Sequence, residues 1–137
     1  MPHELKENDG AIDLTATAPE RAELFRAVLA GVLDAVYGAS PAPGSTEGRV
    51  VPVQAAGDDD DVLLADLVDD TLRASREENG TLGAPRWLSF DERRVTATLP
   101  LLLPRSEGRM LVVSAARVSG DASGWTARVE LLFPVGA

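Results

Sequence analysis

Four consecutive aspartates, Asp58, Asp59, Asp60 and Asp61, are the densest group of chemistry-bearing side chains in the sequence. Carboxylate oxygens are hard donors, so a set of them would take Ca²⁺ or Mg²⁺. The spacing does not make an EF-hand. With Asp58 as the first ligand, the sixth position is Leu63, where that loop requires glycine. The same run also reads as the start of a helix. One aspartate there accepts from unsatisfied backbone N–H groups, and its neighbours favour the positive end of the helix dipole. A cap needs only one or two acids, and the surplus repels itself unless solvent or a cation screens it.

Other chemistry is sparse. There is no cysteine, which excludes disulfides, thiolate zinc sites and cysteine nucleophiles. The one histidine, His3, lies in the polar segment "MPHELKENDG", and a general base is not expected at such a terminus. No second imidazole exists to activate a serine. Walker A and G-x-G-x-x-G sequences are absent.

The elements that must position the aspartates are legible from periodicity. "GAIDLTATA" alternates, with Ile12, Leu14 and Ala16 on one face, and reads as a half-buried strand. Thr17 and Glu20 have capping-box spacing, and Pro19 suits a first helical turn. A helix is predicted over residues 19–37, with Leu24, Phe25, Val28, Leu29, Val32, Leu33 and Val36 as its apolar stripe and Gly38 as its stop. Residues 38–48 read as a loop. "RVVPVQA" reads as a strand that Pro52 confines to an edge or a bulge. A second helix runs from the aspartate cluster to about Asn79. Leu64, Leu67, Val68, Thr71 and Leu72 form its buried stripe, Asp66, Asp69 and Asp70 lie outside it, and Asp69 stands in ion-pair order with Arg73. Four strand-like runs follow: "RWLSF", "RRVTATLPLLL", "RMLVVSAARVSG" and "GWTARVELLF". In the third, both faces are apolar as far as Arg117, which predicts a central strand covered on both sides. Trp87 and Trp125 read as core or sheet-face residues. The order β-α-β-α-β-β-β-β gives an α+β fold, two helices packed on a mostly antiparallel or mixed sheet.

The chain of 137 residues suits one domain, 1–137, with residues 1–9 expected to be mobile. No apolar run reaches membrane-spanning length and no secretory segment is evident, so the expected location is cytoplasmic. The formal charge of −9 argues against direct nucleic-acid binding and is compatible with docking on a basic protein. Arg93, Arg94, Arg105, Arg109, Arg117 and Arg128 gather in the sheet half, against the aspartates of the second helix. That asymmetry is either a bipolar docking surface or ordinary surface charge. Nothing fixes the oligomeric state.

Taken in order, Val51-x-Val53, then Asp59-x-Asp61-x-Leu63-Leu64, then Asp69-Asp70-x-Leu72, resemble the signature of the archease family, accessory proteins of the RtcB-type tRNA-splicing RNA ligase. Glu23-Leu24-Phe25 at the start of the first helix and the closing run "GWTARVELLF" are similar to the family's corresponding blocks. The resemblance implies an archease-like fold and a non-enzymatic role, assisting guanylylation and multiple turnover of an RtcB-type RNA ligase by contact with it. It also implies a carboxylate-held metal, Ca²⁺ or Mg²⁺, with Asp59 in place of the family's aspartate, Asp61 in place of its glutamate and Asp9 in its N-terminal acidic element. At the end of the last strand, where the family has a metal-holding aspartate, this chain has Phe133. The alternative is therefore a binding or scaffold module that keeps the fold without the metal.

Overall fold

The computed structural model describes residues 3–8, 10–38, 46–78, 80–91, 93–103 and 108–134. The alternating segment forms a strand that buries Ile12, Leu14 and Ala16. It is the second strand, not the first. Residues 3–8, expected to be mobile, form β1 (His3–Asn8), which pairs antiparallel with β2 (Ala11–Ala18). Asn8 stands opposite Ala11, and Gly10 in the turn has φ +76°. Asp9-Gly10 between two short runs is a strong hairpin signal. It is easily overlooked because all of β1 beyond His3 is exposed, so no apolar alternation announces a strand.

The first helix, α1 (Arg21–Tyr37), buries the stripe its periodicity predicts. Its N-cap is Glu20, with no side-chain cap. The capping box does not form because Thr17 is still part of β2, paired with Thr126. Gly38, at φ +92°, ends the helix and donates its N–H to the Asp34 carbonyl at 2.8 Å. Mid-helix, Gly31 lies directly on β2. A Cβ there would stand 2.6 Å from Leu14 Cδ1, so only glycine permits this approach.

The remaining elements are β3 (Thr46–Ala56), α2 (Asp60–Glu77), β4 (Thr81–Leu82), β5 (Trp87–Asp91), β6 (Arg94–Leu103), β7 (Val112–Asp121) and β8 (Gly124–Leu132). The strands make two sheets, not one. Sheet A has the order β1-β2-β8-β7. Sheet B is built on β6, with β3 along one edge and β4 and β5 sharing the other. Gly83 N–H to Pro100 O and Arg86 N–H to Thr98 O continue the pairing between β4 and β5. Every strand pair among the described residues is antiparallel. The fold is thus α+β, with two more strands than the sequence reading found, β1 and β4.

The third run of the C-terminal half is corrected. β7 is an edge strand, bonded only to β8 and largely exposed. A bulge between Val113 and Ala115 turns Val113, Ala116 and Val118 inward and leaves Val112 and Ala115 outside. β7 and β8 are joined by a tight turn in which Asp121 accepts from Ser123 N–H at 2.7 Å and Ser123 Oγ–H at 2.6 Å. These bonds, the hydroxyl's first, hold the Asp121 carboxyl below the usual aspartate range. Leu, Val and Ala dominate one continuous core, and an edge-to-face contact of Phe25 with Phe90, 5.0 Å between centroids, ties α1 to sheet B. No helix among the described residues is long and apolar enough to cross a membrane.

Two outcomes test this account. Gly31→Val forces a side chain into Leu14 and is expected to cost about 1–3 kcal/mol in urea unfolding. Asp121 is expected to titrate below the ordinary aspartate value by NMR, and Ser123→Ala to move it upward. Because the folded value is the lower one, the stabilisation from this turn is present above the unfolded value and is lost as pH falls through the folded one.

Candidate functional site

The acidic run opens α2, and each of its four aspartates has a different partner. Asp58 pairs with Arg93 at 3.1 Å on the open surface. Asp59 is the N-cap, in extended conformation, and accepts from Val62 N–H at 2.9 Å. Asp60 lies 3.4 Å from Arg21 Nε at the start of α1, where the Arg21 guanidinium also stacks 3.8 Å above the Phe90 ring. Asp61 turns toward sheet A and accepts from Val118 N–H of β7 at 2.7 Å. The run therefore diverges. The sequence reading left Asp58 and Asp60 without a role, and the structure supplies one for each.

Asp61 belongs to a larger pattern. On the opposite flank of α2, Asp66 accepts from Ala56 N–H at 3.1 Å and Asp70 accepts from Gln54 N–H at 2.9 Å, both on β3. At 3.6 residues per turn, Asp66 and Asp70 lie about 140–180° around the helix from Asp61. The apolar stripe of Leu64, Leu67, Val68 and Leu72 is buried between the two flanks. α2 thus fills the gap between the free edge of sheet A at β7 and the free edge of sheet B at β3. The spacing explains why one carboxylate per turn suffices. Four helical residues rise about 6 Å, close to the roughly 6.6 Å between alternate N–H groups of a strand. The next outward position on β3 after Ala56 and Gln54 is Pro52, which has no N–H to satisfy. Asp70 uses its other oxygen for Arg73, which also reaches Glu77. That arginine was expected to pair with Asp69; the bonds to Asp70 and Glu77 raise its pKa further.

Two of the three residues predicted to hold a metal can now be located. Asp59 is engaged by its own helix and Asp61 by β7. Asp9 lies outside the described residues. Its neighbours Asn8 and Gly10 belong to the end of sheet A where Ala11, Leu132 and Val112 form one rung. Val118 stands five residues along, in the rung of Ala127 and Ala16, about 17 Å away at strand spacing. Among the described residues, no three carboxylate or imidazole groups are grouped to hold a metal. Phe133, at the position of the expected fourth carboxylate, donates its N–H to Gly10 O at 3.2 Å, and its ring faces the Arg109 guanidinium at 5.3 Å. Among the described residues, the side chains around Asp59 and Asp61 do not fit a metal centre.

Two groups gain roles that the sequence reading missed. Arg109 donates to the Ala35 carbonyl at 3.0 Å and to Glu7 at 3.1 Å, and its backbone N–H bonds Val36 O at 2.8 Å. It satisfies carbonyls at the C-terminal end of α1 and ties that end to β1. His3, read as a lone histidine at a loose terminus, is largely buried beside Gly31 and bonds Asp34 of α1 at 2.8 Å. Neither partner could be read from local spacing, because both contacts are long-range.

No protein-family model matches the chain, and no curated protein sequence matches it. A solved structure does. The solution structure of Methanobacterium thermoautotrophicum protein 1598, a structural genomics target, superposes with a TM-score of 0.73. The match covers 96% of this chain and 99% of that one, at 16% identity. The two chains share a fold over essentially their full length.

The edge-locking geometry has a direct test. Asp61→Ala leaves the Val118 N–H without its acceptor and is expected to cost about 1–3 kcal/mol in denaturant unfolding. Asp61→Asn keeps a carbonyl acceptor and should recover most of that loss, whereas a purely electrostatic role would give no recovery. Asp66→Ala and Asp70→Ala act on exposed N–H groups and should each cost less than Asp61→Ala.

Proposed function

We propose that this chain is a divergent archease-like protein that assists an RtcB-type RNA ligase by direct contact, supporting its guanylylation and repeated turnover without performing chemistry itself. The observation that carries this reading is the agreement of motif and fold. The segment that resembles the family signature occupies β3 and the start of α2, within a likeness to a solved structure that spans nearly the whole of both chains. The absence of a buildable nucleophile–base pair is consistent with an accessory role. The one imidazole is tied to Asp34, and no cysteine exists.

Contact is favoured over metal delivery as the means. Asp59 and Asp61 accept backbone N–H groups at 2.9 and 2.7 Å, and they contribute to the fold in that state. Among the described residues, no carboxylate set of the kind that Ca²⁺ or Mg²⁺ needs is assembled. No step of the proposed role is therefore routed through an ion. The same observation favours, as second reading, a scaffold module that keeps the fold and serves another partner.

One assay separates them. The protein is added at increasing stoichiometry to an RtcB-type ligase from the same genome, and ligated RNA per enzyme is followed through several turnovers. The accessory reading expects a several-fold rise in turnover that Asp61→Asn, folded and lacking the charge, leaves intact. Stimulation abolished by Asp61→Asn, together with a Ca²⁺- or Mg²⁺-dependent rise in melting temperature, would restore metal delivery. No stimulation at any ratio would leave the scaffold reading.

A further inference from the structure

α2 takes outward-pointing donors of β7 and β3 with Asp61, Asp66 and Asp70. β1, at the other end of sheet A, has no such cover among the described residues. The direction of its donors follows from its neighbours. Phe133 N–H bonds Gly10 O, so Gly10, Ile12, Leu14 and Ala16 turn their backbone groups toward β8. Ala11, Asp13 and Thr15 therefore serve β1, opposite Asn8, Lys6 and Glu4. The N–H and C=O groups of His3, Leu5 and Glu7 point out from the open edge. Among the described residues, the N–H groups of Leu5 and Glu7 meet no acceptor.

Charge ordinarily blunts an open edge, and β1 carries Glu4, Lys6 and Glu7. Their order has the opposite effect when two copies meet antiparallel. With Leu5 opposite the partner's Leu5, Glu4 stands opposite the partner's Lys6 and Lys6 opposite the partner's Glu4. His3 then faces the partner's Glu7. Outward-pointing residues oppose one another in this register, and about six backbone hydrogen bonds form. Sliding one strand by two residues sets Glu4 against Glu4 or Lys6 against Lys6, and like charges across a strand pair repel. Sliding by one residue opposes outward-pointing to inward-pointing groups and loses the hydrogen bonds. Glu4 and Lys6 are exposed, and neither has an ion-pair partner among the described residues. Leu5, on the same side of the sheet as Leu14, is one of the large apolar side chains left exposed.

We infer that β1 is the interface of a two-fold dimer, in which two copies of sheet A join edge to edge about Leu5. The helices leave room for it. Gly31 seats α1 on β2, and across the joined edge the two copies of β2 lie three strand spacings apart, about 14 Å. Packed helices need about 8–10 Å, so the two copies of α1 clear one another and the paired Leu5 side chains lie between them. Strand pairing of this length buries less than the roughly 1,200 Å² of a standard interface, so the dimer is weak and depends on concentration.

Sedimentation equilibrium of the full chain, from about 10 µM to about 1 mM, tests the interface. Salt at about 0.15 M screens the long-range repulsion between two chains of formal charge −9. A monomer–dimer equilibrium with a dissociation constant on the order of 100 µM is expected. Glu4→Lys and Lys6→Glu each oppose like charges twice per dimer and should weaken association roughly tenfold or more. The double variant restores both pairs and should associate as the parent does. An equimolar mixture of the two single variants should form a mixed dimer at concentrations where neither associates alone. Dilute samples of every variant should melt with the parent, because both side chains are exposed, and this separates loss of contact from loss of fold. Raising the concentration of the parent should slow amide exchange at Leu5 and Glu7, and leave Glu4 and Lys6, already bonded to β2, unchanged. The inference is overturned if the chain stays monomeric at about 1 mM, if the single variants associate as the parent does, or if neither the double variant nor the mixture recovers association. Association that leaves the Leu5 and Glu7 amides unprotected would place the contact on another surface and overturn it equally.

Discussion

Backbone N–H groups at a sheet edge must find an acceptor or remain in water, and two such edges face each other across the interior of this fold. β7 closes sheet A on one side and β3 closes sheet B on the other. A third sheet edge cannot fill the space between them, and an apolar helix alone would bury donors without partners. α2 meets the constraint by carrying carboxylates on both flanks of its apolar stripe. Asp61 takes a donor from β7, while Asp66 and Asp70 take donors from β3. The stripe between them packs against the core, and the N-cap Asp59 sets where the helix begins. The positions of the two sheets relative to each other follow from how this one helix is seated.

That arrangement changes what the acidic composition means. A surface carboxylate is ordinarily a solubility device, and a cluster of them invites a metal reading. Here several are acceptors for main-chain donors, a role in which neutralisation by a bound cation would compete with the fold. A carboxylate can serve a backbone N–H and a cation together only when its second oxygen is free and suitably aimed. Asp70 does so, and its cation is Arg73, within the same helix. For Asp59 and Asp61, no other carboxylate among the described residues converges on them to complete a coordination shell.

The extent to which the fold was legible follows from the range of its interactions. Both helical stripes are visible at a period of 3.6, and β2 and β8 alternate cleanly, because each buries one face on the core. Gly38 and Pro52 also carry their meaning locally, as a helix stop and an edge-strand mark. β1 escapes because only His3 of it is even partly buried, and the polar residues His3 and Glu7 find their partners in Asp34 of α1 and in Arg109, both remote in sequence. Asp66 and Asp70 look solvent-facing because a helical pattern distinguishes buried from unburied, not flank from outside. Asp61 and Val118 are 57 residues apart, and no local pattern predicts that a helix will bond a strand so distant. The site residues were identifiable as acids, while their duties depended on tertiary contacts.

The same pairing logic accounts for the exposed arginines. Carboxylates held at the flanks of α2 cannot also neutralise a guanidinium on the outer face of sheet A, which lies beyond the reach of either helix. On that face the strands themselves offer Asp13 and Glu130 one rung away, each with a nearer donor, and Glu4 of β1 in the same rung but two strands from Arg128. The fold therefore separates charge by geometry. The acids it needs internally are drawn to α2, and two cations are left adjacent and unmatched in a chain of net charge −9. Removing a surface arginine pair from an antiparallel sheet costs little in packing and relieves repulsion.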